Sequence, residues 1–421
     1  MTSQKIVNLI TLASLLSWPT WGAQLSPRGS VTMGTKGEST GEWRKVRKAV
    51  DDLETAYQDA KSDEERDRLW KQYTATNDVA VSNAVVAAAF EPSSTTSFEM
   101  LEWVVTNRRF QAGAENVRAD GLRAVELLGE SHVNNTNIAR VCRAIWHKGD
   151  WDHEPGVRFL KAVSDKNSEP CARGQAIFAL ARLTKAKAAA LEDFENTTPS
   201  ELPQERRTKY LDWVKDGDSK VLFAKAEKLL GVVIESYGDC PSLAKGEIRQ
   251  QRSTIGKEAQ AELFELRHLS LGKMAPDAIG VDLDGREMKL SSSRGKVVLL
   301  SFWASWCGPC MQMVPQERAL ARKMEGKPFA LIGVNADAAL ANAKGAAVKE
   351  KMTWRSFWSG EEGSGGPIPM AWNIRGWPTV YVLDHKGVIR MKSEGYGGTR
   401  TDDLIEKKVT ELVAKVEAEK R

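Results

Sequence analysis

Apolar residues recur at helical spacing through the first half of the chain. Val46, Val50 and Leu53 fall three or four residues apart, which is the period of one helix face. The same spacing returns in later segments as far as Tyr237, and no strand-like alternation interrupts it. Polar connections such as 165–170 favour antiparallel helix pairs. Since no fixed repeat period is found, the pattern allows either a plain helical bundle or an irregular solenoid.

The pattern changes after a helix that we expect over 255–269. Short apolar runs bounded by turn residues then alternate with helical periods, which is typical of a mixed α/β domain. The predicted elements are a hairpin around Asp284-Gly285, strands over 297–303, 329–334, 379–383 and 388–391, and helices over 307–324, 338–351 and 402–416. This order predicts a mixed central sheet that is covered by helices on both faces.

These patterns predict a multidomain protein of 421 residues. An all-α N-terminal domain precedes an α/β domain. The expected divisions are a signal peptide over 1–22, a disordered leader over 23–41, a helical domain over 42–237, a linker with a bridging helix over 238–271, and the α/β domain over 272–421.

The first residues have the pattern of an export signal. Lys5 supplies the positive start, residues 6–16 form a short apolar core, and Pro19 interrupts it, so we expect cleavage after Gly22 or Ala23. A retained anchor is the alternative, but the apolar run is well short of the ~20 residues that span a bilayer. The mature chain is therefore expected to be exported to the periplasm or another extracytoplasmic space, without a stable membrane span.

Composition excludes some partners. Hydrophobic residues make up 42% and charged residues 28% of the chain, values that are ordinary for a globular protein. The net charge is only +4, and no dense block of Lys and Arg occurs, which argues against nucleic acid as a partner. No sequence feature calls for a cofactor.

Two cysteines stand at the junction between a predicted strand and a predicted helix. Cys307 and Cys310 enclose Gly308 and Pro309. Unpaired backbone N–H groups and the dipole at a helix start stabilise a thiolate, so Cys307 is expected to be a nucleophile near neutral pH. A zinc knuckle would need a second pair of ligands at suitable spacing, which the sequence lacks. The pair therefore predicts thiol–disulfide chemistry and no metal site.

Three further cysteines allow at most one additional bridge. In an oxidising compartment unpaired thiols tend to pair. We expect a structural disulfide between Cys142 and Cys171, which lie on candidate helices one hairpin apart, and this leaves Cys240 over. The alternative is three buried free cysteines, because free cysteine is itself a residue of the interior.

Several motifs of the last third occur together in a characteristic order. They are Ala275-Pro276, Asp284-Gly285, 294–298, 303–310, Gly376-Trp377-Pro378-Thr379 and 383–387. With these motifs the C-terminal 150 or so residues resemble the thioredoxin superfamily, and within it the TlpA/ResA-like and redoxin group of exported thiol–disulfide oxidoreductases. The resemblance covers about a third of the chain and leaves the helical domain unassigned.

The resemblance implies a role for each residue of the cysteine motif. Cys307 would be the exposed attacking thiolate, and Cys310 would resolve the mixed disulfide, so that the pair forms a redox-active disulfide. Gly308 and Pro309 would shape and stiffen the turn, and Pro309 would help to set the redox potential. The implied partners are protein thiols or disulfides and a separate electron donor or acceptor that the sequence does not identify.

Three residues outside the cysteine pair would support the site. The resemblance implies that Pro378 is cis and lies against the disulfide, and that the Trp377 backbone hydrogen-bonds an extended substrate segment. Two interpretations of Trp306 are open: its ring contacts substrate beside the sulfurs, or it covers the core.

The sequence departs from the family at two positions that carry carboxylates in relatives. Ser301 stands where thioredoxin has a buried Asp, and Met313 stands where TlpA/ResA-like proteins often have Glu. The proton acceptor for Cys310 is therefore left open, with water and Glu317 as candidates. The Gly-Pro dipeptide favours a reductant, while the direction of electron flow stays undetermined.

The sequence also bears on two other functions. A thiol peroxidase is disfavoured, since Ala304 and Leu300 stand where a peroxide site needs a hydroxyl residue and proline. The chain could instead be a helical scaffold with an auxiliary redox-sensing module. The Gly-rich segment 354–369 is expected to be a surface loop near the active site, either gating substrate or simply connecting two elements.

Overall fold

The computed structural model describes residues 36–106, 115–146, 154–196, 217–242 and 254–419. The expected signal peptide and most of the expected leader therefore lie outside the described residues. The chain divides into two compact units, Met1–Ala259 and Gln260–Arg421.

The described residues of the first unit are almost entirely helical. Its helices are α1 (Lys36–Asp59), α2 (Asp63–Phe90), α3 (Thr95–Thr106), α4 (Glu115–Ser131), α5 (Ala139–Trp146), α6 (Glu154–Lys166), α7 (Pro170–Asn196) and α8 (Ser219–Tyr237), and α9 (Ile255–His268) begins in this unit. Helix α1 begins at Lys36, so it includes the last six residues of the expected leader, 36–41. Residues 36–41 carry no apolar stripe, which is why the hydrophobic pattern did not reveal this extension of the helix.

Local signals fix several helix starts. Ser62 caps α2, since its hydroxyl accepts the Glu65 N–H at 3.1 Å. Asp218 caps α8 by accepting the N–H groups of Lys220 at 2.8 Å and Val221 at 3.2 Å. These caps satisfy backbone donors that the helix itself leaves unpaired.

Packing in the first unit follows chain order. Among the described residues, the principal helix contacts join elements no more than two apart in the chain, and α7 packs against α5, α6 and α8. One apolar core runs through these layers, from Trp43 through Leu101 and Leu128 to Ala179. This nearest-neighbour packing is the arrangement of an irregular solenoid rather than of a closed bundle.

The structural disulfide of the first unit joins Cys171 and Cys240, with 5.3 Å between their Cα atoms. The prediction of a Cys142–Cys171 bridge is therefore wrong. Cys171 begins α7 and Cys240 follows the end of α8, and the packing of these two helices brings the two cysteines together. Cys142 is fully buried on α5 and stays a free thiol. Separation along the chain did not predict the bridge, because the packing of α7 against α8 decides which cysteine lies near Cys171.

The second unit contains a five-stranded mixed sheet with its helices. A small hairpin of β1 (Ile279–Val281) and β2 (Glu287–Lys289) comes first, turning at Gly285, whose φ of +82° is in the left-handed region. The remaining elements are β3 (Val297–Trp303), α10 (Gly308–Lys323), β4 (Phe329–Asn335), α11 (Leu340–Lys349), β5 (Ser356–Trp358), α12 (Pro367–Ala371), β6 (Thr379–Leu383), β7 (Ile389–Glu394) and α13 (Thr399–Glu419), with 3-10 turns over 290–293 and 363–365. The strand order is β5-β4-β3-β6-β7.

The sheet register places the site. β3 pairs in parallel with β4 and antiparallel with β6, so the end of β3 meets the beginning of β6. Phe302 is opposite Thr379 in this register. The segment that follows Trp303 and the segment that precedes Thr379 therefore lie at the same end of these two central strands.

All seven residues of β3 are buried, because both faces of the sheet are covered. On one face Leu300 and Phe302 pack with Trp372 and Tyr381. On the other face Leu299 packs with residues of α10 and α13, among them Leu320 and Val409. A continuous apolar strand of this kind is expected where helices lie on both sides of a sheet.

The expectation of a surface loop over 354–369 is wrong for much of that segment. Its residues form the edge strand β5, a 3-10 turn and the start of α12. Phe357 is fully buried and Ile368 is 6% exposed. Three strand residues are too few to show an alternating pattern, so the sequence alone did not reveal β5.

Within the described residues, no helix combines the length and the apolarity that crossing a bilayer would require.

Candidate active site

The two cysteines of the motif occupy the first turn of α10. Cys307 is the N-cap, and its Sγ accepts the backbone N–H of Cys310 at 3.1 Å. A disulfide joins the two residues, with 5.2 Å between their Cα atoms. When this bond is reduced, the helix dipole and the same N–H group favour a negative charge on the Cys307 sulfur.

The sulfurs are more enclosed than the resemblance implied. Cys307 is 4% exposed and Cys310 is 1% exposed in the disulfide form, so Cys307 is not the exposed residue that was expected. They share a small apolar cluster with Trp303, Ala304 and Ala336. Gly308 and Pro309, at the tip of the turn, are exposed. A partner would thus approach the disulfide from the side of this turn.

An aromatic pair lies beside the turn. Trp306 is 59% exposed, so it does not cover the core. Its ring meets the ring of Trp377 edge to face, with 6.0 Å between centroids. The Trp377–Pro378 peptide bond is cis, as the resemblance implied. The structure therefore brings together the predicted site residues that follow β3 and those that precede β6.

Asp337, which sequence reasoning missed, anchors the turn before Cys307. Its carboxylate accepts the Ser305 backbone N–H at 2.9 Å and the Ser305 hydroxyl at 2.5 Å. The Asn335 side-chain amide donates to the same carboxylate at 2.7 Å, and the Trp358 indole donates to the Asp337 carbonyl oxygen at 2.9 Å. The polar residues Asn335 and Asp337, at and just after the end of β4, were the available signal.

The loop before the cis peptide is anchored by α9. Arg375 forms an ion pair with Glu262, which is 4% exposed. The Asn373 amide donates to Glu265 at 2.7 Å, and Lys392 donates to the other oxygen of that carboxylate at 2.6 Å. Burial strengthens such charge-assisted bonds, so they fix the loop that carries Trp377. Nothing in the sequence pattern alone linked α9 to this loop.

A buried carboxyl group lies behind the cysteines on α10. Glu317 is 6% exposed, and loss of hydration raises its pKa to about 7. The nearby Ser301 hydroxyl opposes this shift and the negative charge of Asp402 adds to it, and the value of about 7 includes all three effects.

Comparisons with known proteins match about a third of the chain. The family model described as Redoxin matches residues 270–408. The thioredoxin-like protein YneN of Bacillus subtilis is 33% identical over 138 residues, which are 33% of this chain and 78% of that protein. The thiol-disulfide oxidoreductase ResA of Geobacillus thermodenitrificans is 27% identical over 139 residues, 33% of this chain and 78% of that protein. The solution structure of a thiol:disulfide interchange protein from Bacteroides sp. is 27% identical, with a TM-score of 0.31, and the match covers 34% of this chain and 91% of that one.

A strand–helix junction that carries a disulfide, beside a cis-proline loop, defines an oxidoreductase of the thioredoxin type. The chain belongs to the TlpA/ResA-like thiol–disulfide oxidoreductases of the thioredoxin superfamily.

Proposed function

We propose that this enzyme is exported and reduces disulfides of protein substrates through Cys307 and Cys310. The observation that carries the proposal is the disulfide on the first turn of α10, with Cys307 as the N-cap. That position favours a thiolate on the first cysteine and keeps the second within reach of it.

The reaction begins with the reduced pair. The Cys307 thiolate attacks one sulfur of a substrate disulfide, which forms a mixed disulfide and releases the other substrate sulfur as a thiolate that takes up a proton. Cys310 loses its proton and attacks Cys307 Sγ. This forms the Cys307–Cys310 bond and releases the second substrate thiol, so two electrons pass from the enzyme to the substrate. A separate dithiol donor must then reduce the pair again.

The aromatic pair and the cis peptide are proposed to hold the substrate. Trp306 offers exposed apolar area beside the sulfurs, and Trp377 supports it edge to face. Pro378 has no N–H of its own, so it leaves the neighbouring Trp377 backbone to bond an extended substrate segment.

The disulfide of the helical unit supports export. Cys171 and Cys240 form a bond that does not involve the redox motif, and structural disulfides persist mainly in oxidising compartments. This agrees with residues 1–22 acting as a signal peptide. The small net charge of +4 supports protein partners rather than nucleic acid.

We further propose that the helical domain, residues 42–237, positions a partner protein for the α/β domain over 272–421, with 238–271 as the connection. The neighbour-to-neighbour packing of α1 to α8 supports this role, since stacked helices offer an extended binding surface. In the alternative, the helical unit is the main scaffold and the cysteine pair only senses redox state.

Reduction of insulin by a dithiol donor tests the enzymatic proposal. The parent chain should accelerate precipitation of the insulin B chain, and Cys307→Ser should abolish this effect because the nucleophile is lost. Cys142→Ala is the matched control, since it removes a cysteine outside the site and should retain activity. Unchanged activity of Cys307→Ser would overturn the proposal and favour the scaffold.

A trapping experiment identifies the client. Cys310→Ala should stall at the mixed disulfide with Cys307, because the resolving sulfur is absent. Recovery of reducible adducts with exported proteins would support the substrate class. Absence of any adduct under conditions where the insulin assay works would argue against protein substrates.

A further inference from the structure

Glu317 shares a helix face with the resolving cysteine. It follows Cys310 by seven residues, which is two helical turns and a rise of about 10 Å. Met313 lies between them on the same face, and all three side chains are buried. The carboxyl group therefore lies in the interior behind the disulfide.

Ser301 bridges the interval on the neighbouring strand. Two residues further along β3, Trp303 belongs to the apolar cluster that contains Cys310. Two residues earlier, Leu299 lines a cavity together with Glu317. Because alternate strand residues share a face, Ser301 lies between these neighbours on the side of the sheet that α10 covers. It is 1% exposed.

Both polar groups lack the partners that buried groups normally have. Among the described residues, Ser301 Oγ and Glu317 Oε1 form no hydrogen bond of normal geometry, although the Ser301 hydroxyl is near enough to Glu317 to lower its pKa. An unpaired buried polar atom is costly, and a redox role is one of the established explanations for such atoms. A serine hydroxyl accepts and donates at once, which makes it suited to relay a proton between a thiol and a carboxylate.

The surroundings allow the carboxyl group to exchange a proton. Glu317 faces a cavity of about 20 Å³, which has room for about one water molecule. Its charged or titratable lining groups are Asp402 and Glu406 from α13, and no cation lines it. Tyr396 donates to Asp402, and Lys323 pairs with Glu406. Because burial and Asp402 raise the pKa of Glu317 to about 7, both of its protonation states are accessible near neutral pH.

We propose that Glu317, acting through the Ser301 hydroxyl, accepts the proton of the Cys310 thiol during resolution of the mixed disulfide. The Cys310 S–H bond breaks, Ser301 passes a proton to the Glu317 carboxylate, and Cys310 Sγ then bonds to Cys307 Sγ while the substrate sulfur leaves. The carboxyl group later releases the proton toward the cavity. This assignment rests on the proposed function, and it gives the chain a base that Ser301 and Met313 do not supply at the positions occupied by carboxylates in relatives.

The two thiol steps can be separated with dithiobis(nitrobenzoate), an aromatic disulfide that releases a coloured thiolate. The reduced full-length chain should release a first equivalent when Cys307 attacks and a second when Cys310 resolves, and stopped-flow absorbance follows both. For the parent, the rate of the second phase should rise through about pH 7 and then level off. Glu317→Gln should slow this phase by about tenfold or more at pH 7 and remove the inflection, leaving the first phase unchanged.

Companion variants keep the test decisive. Ser301→Ala should slow the second phase as well, and Ser301→Asp combined with Glu317→Gln should restore it by moving a carboxylate to the strand. Glu411→Gln is the matched control, since its partly exposed carboxylate pairs with Lys408 and Lys415 and does not line the cavity, and it should change the second phase by less than about twofold.

The outcomes separate the two proposals. A second phase that keeps its rate and inflection in both Glu317→Gln and Ser301→Ala overturns the relay. If Glu317→Gln does not fold, Ser301→Ala alone decides. A first phase that survives in Cys307→Ser would instead overturn the proposed function, whatever the Glu317 variants do.

Discussion

The disulfide between Cys171 and Cys240 should be the main covalent support of the helical unit. Replacing both residues with serine opens a loop closed across 69 positions of the chain. The loop-closure relation assigns a bridge of this span about 4 kcal/mol of stabilisation, through the freedom it removes from the unfolded chain. The double variant should therefore unfold at clearly lower denaturant concentration, by an amount that approaches this figure.

Urea unfolding followed by far-ultraviolet circular dichroism measures the effect, because α1 to α8 supply much of the helical signal. Hydrogen exchange of peptides from α7 and α8 adds a local readout, since Cys171 lies at the start of α7 and Cys240 follows the end of α8. Their amides should lose protection in the double variant, while those of β3 should keep theirs.

Cys142→Ala is the control for loss of a thiol without loss of a bridge. It should cost only about 1 kcal/mol, for a small cavity at a buried site. The reasoning would be refuted if Cys142→Ala proved as damaging as Cys171→Ser while Cys240→Ser were harmless. Peptide mapping without reductant should then find Cys142 bonded to Cys171.

Three further predictions concern the described contacts. Burial raises the pKa of Glu317 above its unfolded value, so the protonated form favours folding below about pH 4 and this contribution is lost as pH rises through about 7. Glu317→Gln should therefore gain stability over the parent above neutral pH, on the order of 3 kcal/mol, seen as slower hydrogen exchange in β3; an equal difference at pH 4 and pH 8 would contradict this. Gly256→Ala should destabilise the first unit by about 1–3 kcal/mol in urea, because a Cβ there would lie 2.5 Å from the Gly238 Cα, whereas Gly231→Ala meets open space and should not. Glu262→Gln removes the charge that holds Arg375, and it should raise KM for insulin more than it lowers kcat; an unaltered KM would show that the loop needs no such anchor.

The α/β domain was predictable because each of its signals is local. The Cys307-Gly-Pro-Cys310 turn follows a continuous apolar strand, and the Asp284-Gly285 turn lies between short strands, so element order could be deduced from the chain. The cis-proline motif also has a recognisable sequence. Family resemblance then supplied the roles of these residues, which spacing alone does not contain.

The errors concern long-range packing. The pairing of α7 with α8 decides which cysteine meets Cys171, and no periodicity in either helix encodes it. The same holds for Glu262 and Glu265, whose partners lie more than a hundred residues away in sequence. The short strand β5 was not predicted because three residues are too few to show the two-residue alternation of a strand. Enclosure of Cys307 depends on side chains from several separate segments, which a local motif cannot report.

The state of Cys142 makes the enzyme convenient to titrate. Burial raises the pKa of this thiol strongly, so the native fold hides it from alkylating reagents. Cys171 and Cys240 cannot react either, because they are bonded to each other. In the folded protein, the sulfhydryls that react therefore report on the Cys307–Cys310 couple alone: none reacts when the bond is closed, and the Cys307 thiolate reacts when it is open. A redox titration read by simple reagent uptake should yield the midpoint potential without mutating any other cysteine.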